Sequence, residues 1–544
     1  MFIQDAPQVP DLFAVDGPLQ AELRRRLPDG VLAEIAPELA EMGQDTTGPL
    51  QRWMRAAEAQ PPEHVPYDPW GRRVDEIRLS PAWKSLQDYA ATRGIVASGY
   101  REQHRPFHRI DQAARLYLFA ANSAIFACPL AMTDAAARVL LDSAEAPLRE
   151  RLFPRLTSQD PQEFITSGQW MTERSGGSDV GGTETIARPV PGEEGVFTLH
   201  GVKWFTSSTT SEMALTLARI DAGEGTVAGS RGLTVFAVEV TRDGAGALQG
   251  IQVNRLKDKL GTKALPTAEL TLDGLRATQI GETGRGVATI STMLNITRYY
   301  NAVSSASAMA KAVWMAQDYA KRRVAFGKPI AQQPLHQHTL NCLEAELHGG
   351  LALCMEVAQL LGKQEAGQAS EAEQQRLRAL VPLAKLTLGK QSVSVVSEAL
   401  ECFGGAGYVE DTGLPGMLRD AQVFPIWEGT TNVLSLDLLR AEARGGAFSA
   451  LLADLSARAA DLSARLDPRA KQALVDAIER VGKTAATLVS GGDKAGLERY
   501  ARRLALTTGY AAEALFVGET AAGDVESIDR FQLLVEQRLM APLA

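Results

Sequence analysis

Val423-Phe424-Pro425-Ile426-Trp427-Glu428-Gly429-Thr430-Thr431-Asn432, preceded by Arg419-Asp420, sets one carboxylate among aromatic and branched apolar side chains. Such neighbours disfavour the charged form of a carboxyl group, raise its pKa and make it a usable general base near neutral pH. Composition alone favours a plainer role for Glu428, as an exposed residue or a helix cap, because charged side chains mostly lie at surfaces. The stretch gains meaning from what precedes it. Phe403-Gly404-Gly405-Ala406-Gly407-Tyr408 has three glycines in four residues, which permits close backbone approach to a phosphate. It follows a helical pattern rather than a strand, so it is not the strand–turn–helix dinucleotide fingerprint.

Further toward the N-terminus, Arg323-Val324-Ala325-Phe326-Gly327-Lys328-Pro329-Ile330 closes an Ala-rich helical pattern that begins near Ser304. Gly327 is expected just past the helix end, with Pro329 two positions on; the functional alternative makes Arg323 a phosphate clamp. Lys203-Trp204-Phe205-Thr206-Ser207-Ser208 pairs two aromatics with hydroxyls, either as a wall for a planar cofactor or as ordinary β-core. Met171-Thr172-Glu173-Arg174-Ser175-Gly176-Gly177-Ser178-Asp179 reads as a loop. It either offers N–H groups and hydroxyls to a ring or pyrophosphate, or is a solvated turn.

The texture of the chain frames these motifs. Residues 1–164 read as mostly helical, with a turn at Tyr67-Asp68-Pro69-Trp70-Gly71. Residues 165–285 hold short apolar and β-branched runs separated by glycine clusters, the pattern of a small β-domain. Helical texture returns over 286–440 and continues through 441–544, broken at Pro468 and Gly491-Gly492. At 544 residues the chain exceeds one ordinary core. A net charge of -9 gives no general attraction to nucleic acid or anionic membrane. No apolar run approaches the roughly 18 residues that span a bilayer. The N-terminus lacks a basic segment followed by an apolar one, so no signal peptide is expected. Cys128, Cys342, Cys354 and Cys402 form no CxxC pair and share no metal spacing with the seven histidines. Buried inert thiols in a reducing cytoplasm, and no metal site, are the expectation.

In order, T-E-x-x-G-G-S-D, K-W-F, R-x-x-F-G, G-G-x-G-Y and R-D…E-G-T resemble the acyl-CoA dehydrogenase family. Tyr67-Asp68-x-x-Gly71-Arg72-Arg73, Pro81-Ala82-Trp83, Cys128-Pro129 and Arg255 to Gly261 look like its AidB-like branch. The resemblance implies a mainly α fold with a β middle domain. Its parts are a helical N-domain, a β-barrel-like domain and a C-terminal four-helix bundle, here with a helical extension. It also implies a homotetramer with FAD held between the domains. By that match Met171, Thr172, Gly177 and Ser178 belong to the flavin loop, and Phe205, Thr206 and Ser207 to the segment beside the isoalloxazine. Arg323 and Phe326 match a segment that reaches the adenosine-pyrophosphate end, often across a subunit boundary. Gly404 and Gly405 match the glycine turn near the pyrophosphate, and Ile426, Trp427, Gly429, Thr430 and Asn432 flank the base and contact the cofactor.

Glu428 matches the glutamate that removes the α-proton of an acyl-CoA thioester while hydride leaves the β-carbon for flavin N5. The electrons then pass to an electron-transferring flavoprotein or similar acceptor. Some branches place the base one residue before an arginine resembling Arg298; that residue is Thr297 here. Related nitroalkane oxidases carry Asp at the Glu428 position. In two respects the chain departs from the family: Pro334 stands where a Gln is common, and Trp427 replaces a Tyr, which leaves acyl length and branching open. The AidB likeness also implies an alternative, a flavoprotein that binds DNA with little turnover. Residues 441–544 carry 13 Lys+Arg and 14 Asp+Glu, a net of -1, which does not favour it despite Arg499, Arg502 and Arg503 on one helical stretch. A third reading keeps fold and flavin as a sensor without turnover.

Overall fold

The computed structural model describes residues 5–221, 223, 225–521 and 525–540. The first four and last four residues of the expected terminal domains lie outside that set. The chain folds into two compact units that interleave along the sequence: 1–49, 101–121 and 301–544 form one, and 50–100 with 122–300 form the other.

The first unit is helical. Its principal helices are α1 (Gly17–Arg26), α2 (His108–Ala120), α3 (Gly286–Arg322), α4 (Pro334–Glu365), α5 (Glu371–Glu401) and α6 (Leu414–Ala421). They are followed by α7 (Thr431–Gly445), α8 (Ala447–Ala460), α9 (Pro468–Ser490), α10 (Lys494–Thr520) and α11 (Val525–Val535). α3 passes from the second unit into the first at Asn301. α4 and α5 are buried chiefly along their middle stretches, where Leu, Ala and Val dominate the sequence. α5 begins with a capping box: Ser370 Oγ accepts from the Glu373 N–H, while the Glu373 side chain accepts from the Ser370 N–H. The extension is a packed part of this unit. Phe516, Leu515 and Val517 of α10 are fully buried. Gly509 lets α10 meet α5 so closely that a Cβ there would strike the Thr387 hydroxyl.

A network of ion pairs fastens the extension further. Arg26 of α1 binds Glu356 of α4 at 2.8 Å, Arg458 of α8 binds the same carboxylate at 2.8 Å, and Arg458 also reaches Glu519 of α10 at 2.7 Å.

The second unit is built on a sheet of β3 (Ser167–Trp170), β4 (Ile186–Pro189), β5 (Val196–Ser207), β6 (Met213–Ile220), β7 (Leu233–Glu239), β8 (Ile251–Leu256) and β9 (Thr267–Ile280). The ring β6-β4-β5-β9-β7 closes through pairing of β6 with β7; β3 adds to β6 and β8 to β9. Trp170, Leu199, Phe236, Val238 and Leu270 fill its core. Closure removes the exposed strand edges that an open sheet would leave. Within the mostly helical opening region, β1 (Glu63–Tyr67) and β2 (Arg73–Arg78) pair as an antiparallel hairpin that the sequence reading did not include. Their turn is the expected one, with Gly71 at φ 81 and the Asp68 carboxylate accepting from the Trp70 and Arg72 N–H groups.

A correction concerns Gly327. α3 ends at Arg322, and β10 (Val324–Ala325) then pairs with β11 (Lys328–Pro329). Phe326 and Gly327, at φ 52 and 83, are the two tip residues of a hairpin turn rather than a helix end. The expectation of four buried thiols also changes: Cys354 and Cys402 are buried, whereas Cys128 and Cys342 are half-buried.

Candidate active site

The candidate residues fall into two groups, one in each unit. In the second unit, Met171, Thr172, Gly177 and Ser178 lie on the loop that leaves β3. The loop is tied to β5 by the Trp204 N–H, which donates to the Thr172 carbonyl at 2.9 Å. At Gly177 a Cβ would lie 2.5 Å from Thr172 Oγ1, so any larger residue would displace that hydroxyl. Ser178 is exposed and Met171 buried.

Under the loop lies a pair that motif reading missed. Lys203, with no exposed surface, donates to Glu173 at 2.7 Å and to the Leu217 carbonyl at 3.0 Å. Glu173 also accepts from the N–H of Glu184 at 2.6 Å and from the Thr185 hydroxyl. Burial works to raise the Glu173 carboxyl, but the Lys203 ammonium and these hydrogen bonds outweigh it and hold it below the usual range. Burial pushes the Lys203 ammonium down, more than Glu173 restores.

β5 breaks register with β9 between Lys203 and Thr206. The bulge re-aims the intervening residues, and Phe205 emerges half exposed. Lys257 lies 3.7 Å from the Trp204 ring centre and 4.6 Å from that of Phe205, a cation on an aromatic wall. Thr206 is fully buried and donates its hydroxyl to the Ala268 carbonyl at 2.8 Å; Ser207 meets the Thr267 hydroxyl at 3.1 Å. Thr297, where other branches carry a base, is buried with its hydroxyl donated to the Leu294 carbonyl.

In the first unit, Glu428 stands half-buried in the turn between α6 and α7, at φ 56. Gly429 follows at φ 101, a conformation that favours glycine, and a Cβ there would lie 2.9 Å from Leu434. Thr430 caps α7, its hydroxyl accepting from the Val433 N–H. Phe424 and Trp427 pack with ring centres 6.3 Å apart, while Ile426 is exposed. Of the apolar neighbours read from the sequence, Phe424 is buried and Trp427 half-buried. Asn432 is exposed and accepts from Arg502 of α10 at 3.3 Å, so the extension reaches this segment. Lys385, fully buried on α5, donates Nζ to the Gly429 carbonyl at 2.6 Å. Its one sequence signal is a lysine inside the apolar run Val381-Pro-Leu-Ala-Lys385-Leu-Thr-Leu388.

Gly404 adopts φ 59, and neither it nor Gly405 has a heavy atom within 4 Å of where a Cβ would sit. Gly407, by contrast, is needed for packing against the Leu400 carbonyl. Phe326 and Tyr408 are 96% and 92% exposed, large apolar groups that the folded unit leaves uncovered. Arg323 is half-buried at the foot of the hairpin.

Three family models match the chain. The N-terminal domain of the adaptive response protein AidB covers residues 5–161, the acyl-CoA dehydrogenase middle domain 168–275 and its C-terminal domain 284–442. The chain is 46% identical over 445 residues to acyl-CoA dehydrogenase family member 11 of Caenorhabditis elegans, covering 81% of this chain and 72% of that protein. It is 33% identical over 432 residues to the putative acyl-CoA dehydrogenase AidB of Escherichia coli (strain K12), covering 76% and 77%. The crystal structure of C. elegans ACDH-11 in complex with C11-CoA superposes with a TM-score of 0.94 at 40% identity, over all of this chain and 94% of that one. The chain belongs to the acyl-CoA dehydrogenase family, in its AidB-like branch.

Proposed function

We propose that the protein is an FAD-dependent acyl-CoA dehydrogenase in which Glu428 removes the α-proton of an acyl-CoA thioester. The observation that carries this reading is the backbone of Glu428, held at φ 56 in the turn just before α7, on a segment whose Phe424 and Trp427 rings pack together. Strained backbone of this kind costs about 1–3 kcal/mol and persists where the surroundings impose it, often at functional sites.

The residues fit the cofactor. Gly177 accommodates Thr172 where a Cβ would intrude, Phe205 offers an exposed ring face, and the open Gly404-Gly405 backbone suits a pyrophosphate. Thr172, Ser178, Phe205 and Ser207 would serve the isoalloxazine, with the buried Met171 and Thr206 supporting the same segments, and Thr430 and Asn432 beside the base. Arg323, Phe326, Gly404 and Gly405 would serve the adenosine-pyrophosphate. FAD, when bound, supplies the acceptor for the hydride that leaves the β-carbon. The carboxylate of Glu428 takes the α-proton, and its backbone N–H supports the charge that proton loss builds on the thioester oxygen. Trp427 narrows the space beside the base and so bears on acyl chain shape. Exposed Phe326 and Tyr408 support assembly of further copies into a homotetramer, with an electron-transferring flavoprotein or similar acceptor completing turnover.

The DNA-binding alternative would rest on Arg499, Arg502 and Arg503, and Arg502 is engaged with Asn432. Among the described residues no helix is long and apolar enough to cross a membrane.

Anaerobic mixing with C4 to C16 acyl-CoAs, the C11 thioester included, tests the reading. The oxidised flavin band should bleach with at least one of them. Glu428→Gln should slow that bleaching by about 100- to 10,000-fold, the usual worth of a positioned base. Absence of bleaching with every thioester would sink the dehydrogenase reading, and a variant as fast as wild type would remove Glu428 from its role.

A further inference from the structure

α5 touches the Glu428 turn at two points on one face. Lys385 and Gly389 are four residues apart, hence neighbours on the same side of the helix. Lys385 donates Nζ to the Gly429 carbonyl at 2.6 Å. At Gly389 the helix backbone comes so near that a Cβ would lie 3.0 Å from the Phe424 carbonyl oxygen and 3.2 Å from the Pro425 nitrogen. Asn301 of α3 donates to that same Phe424 carbonyl at 3.3 Å. The front of the turn is thus held by Gly389 and Asn301, and the back by Lys385.

Between these anchors the chain adopts the left-handed values of Glu428 and Gly429, φ 56 and 101. Lys385 holds the carbonyl of Gly429, the residue that follows the base, so it acts on the backbone that aims the carboxylate. Its neighbours Leu383, Ala384 and Leu386 are buried as well. Burying an amine in such company is costly unless its hydrogen bonds are made, and a methionine would fill a similar volume without that cost. The bond to the Gly429 carbonyl is a contact that an apolar residue would not make.

We infer that Lys385 is a positioning residue for proton abstraction, holding the Glu428–Gly429 backbone so that the carboxylate meets the substrate α-carbon. The inference rests on Glu428 being the base. Misplacing a reacting group by about 1 Å costs about 100-fold in rate, which sets the scale of the expected effect.

The test uses purified holoenzyme: wild type, Lys385→Met, Lys385→Gln and Glu428→Gln, with C4 to C16 acyl-CoAs in ordinary and C2-dideuterated form. Lys385→Met should keep its bound FAD and fold. It should lower kcat by about 10- to 100-fold with KM little changed, and raise the α-deuterium isotope effect because proton removal becomes slower. Amide hydrogen exchange across 424–432 should quicken, a readout independent of turnover. Lys385→Gln keeps an N–H donor and should recover part of the rate.

Wild-type kcat, isotope effect and exchange in Lys385→Met overturn the inference. So does a loss of rate matched by an equal loss of FAD, with the isotope effect of the remaining holoenzyme unchanged. The Glu428→Gln arm separates the two readings. A fast Glu428→Gln enzyme removes the base, and the role of Lys385 with it. An inactive Glu428→Gln enzyme beside an unaltered Lys385→Met enzyme removes Lys385 alone.

Discussion

Two buried lysines, Lys203 and Lys385, carry much of what the motifs leave unexplained, and each is matched to a particular oxygen. Lys203 neutralises Glu173 beneath the loop of Thr172, Gly177 and Ser178. Removing one member of a buried pair leaves an uncompensated charge, which costs about 3–5 kcal/mol. Lys203→Met should therefore lower stability by that order in chemical denaturation, and Lys203→Met with Glu173→Gln should recover most of the loss. A single variant as stable as wild type would show that the pair contributes little. The sequence reading singles out Glu428 as a candidate because it closes a series of five ordered motifs. It missed Glu173–Lys203 because the partners are 30 residues apart and meet only when β5 lies beside the loop.

Element by element, helices were the more legible. The breaks at Pro468 and Gly491-Gly492 fall where α9 begins and ends, since proline suits a first helical turn and the Gly491–Gly492 pair marks the exit. The β1–β2 hairpin and the β10–β11 tip were not legible. Short strands carry little periodicity, and a Phe-Gly pair past a helix fits a helix exit and a hairpin turn alike. At this scale the capping box of α5 makes a sharp prediction, because α5 carries Lys385 and Gly389. Ser370→Ala should cost about 1 kcal/mol, seen as a lower denaturation midpoint at unchanged slope. It should leave the rate of flavin reduction unaltered, since the cap lies about four turns from Lys385. A midpoint equal to wild type would show that the cap is dispensable.

At the scale of the whole molecule, buried carboxylates tie distant segments of the chain together. Burial works to raise the carboxyls of Glu356 and Glu365. Arg26 with Arg458 for the first, and Arg109 with His108 for the second, outweigh it and hold both at about 2. Their folded values thus lie below the ordinary value of 4.5. The stability they provide is complete above that pH and is lost as pH falls from there toward 2. The melting temperature should be level between about pH 5.5 and 7 and fall steeply below about 4.5, and Glu356→Gln should flatten that acid limb. An acid limb as steep in the variant would exclude Glu356 from it.

Domain order, the ordered motifs and the candidate base were determined by the sequence itself, because each depends on residues close together in the chain. Only the tertiary structure decided what holds them. It closed the strands into a ring, seated α10 against α5 through Gly509, and brought Arg502 to Asn432 across 70 residues. It also set Lys385 on the carbonyl beside Glu428, 44 residues away. A buried amine finds its oxygen only through packing, and packing between distant segments leaves no local pattern to read.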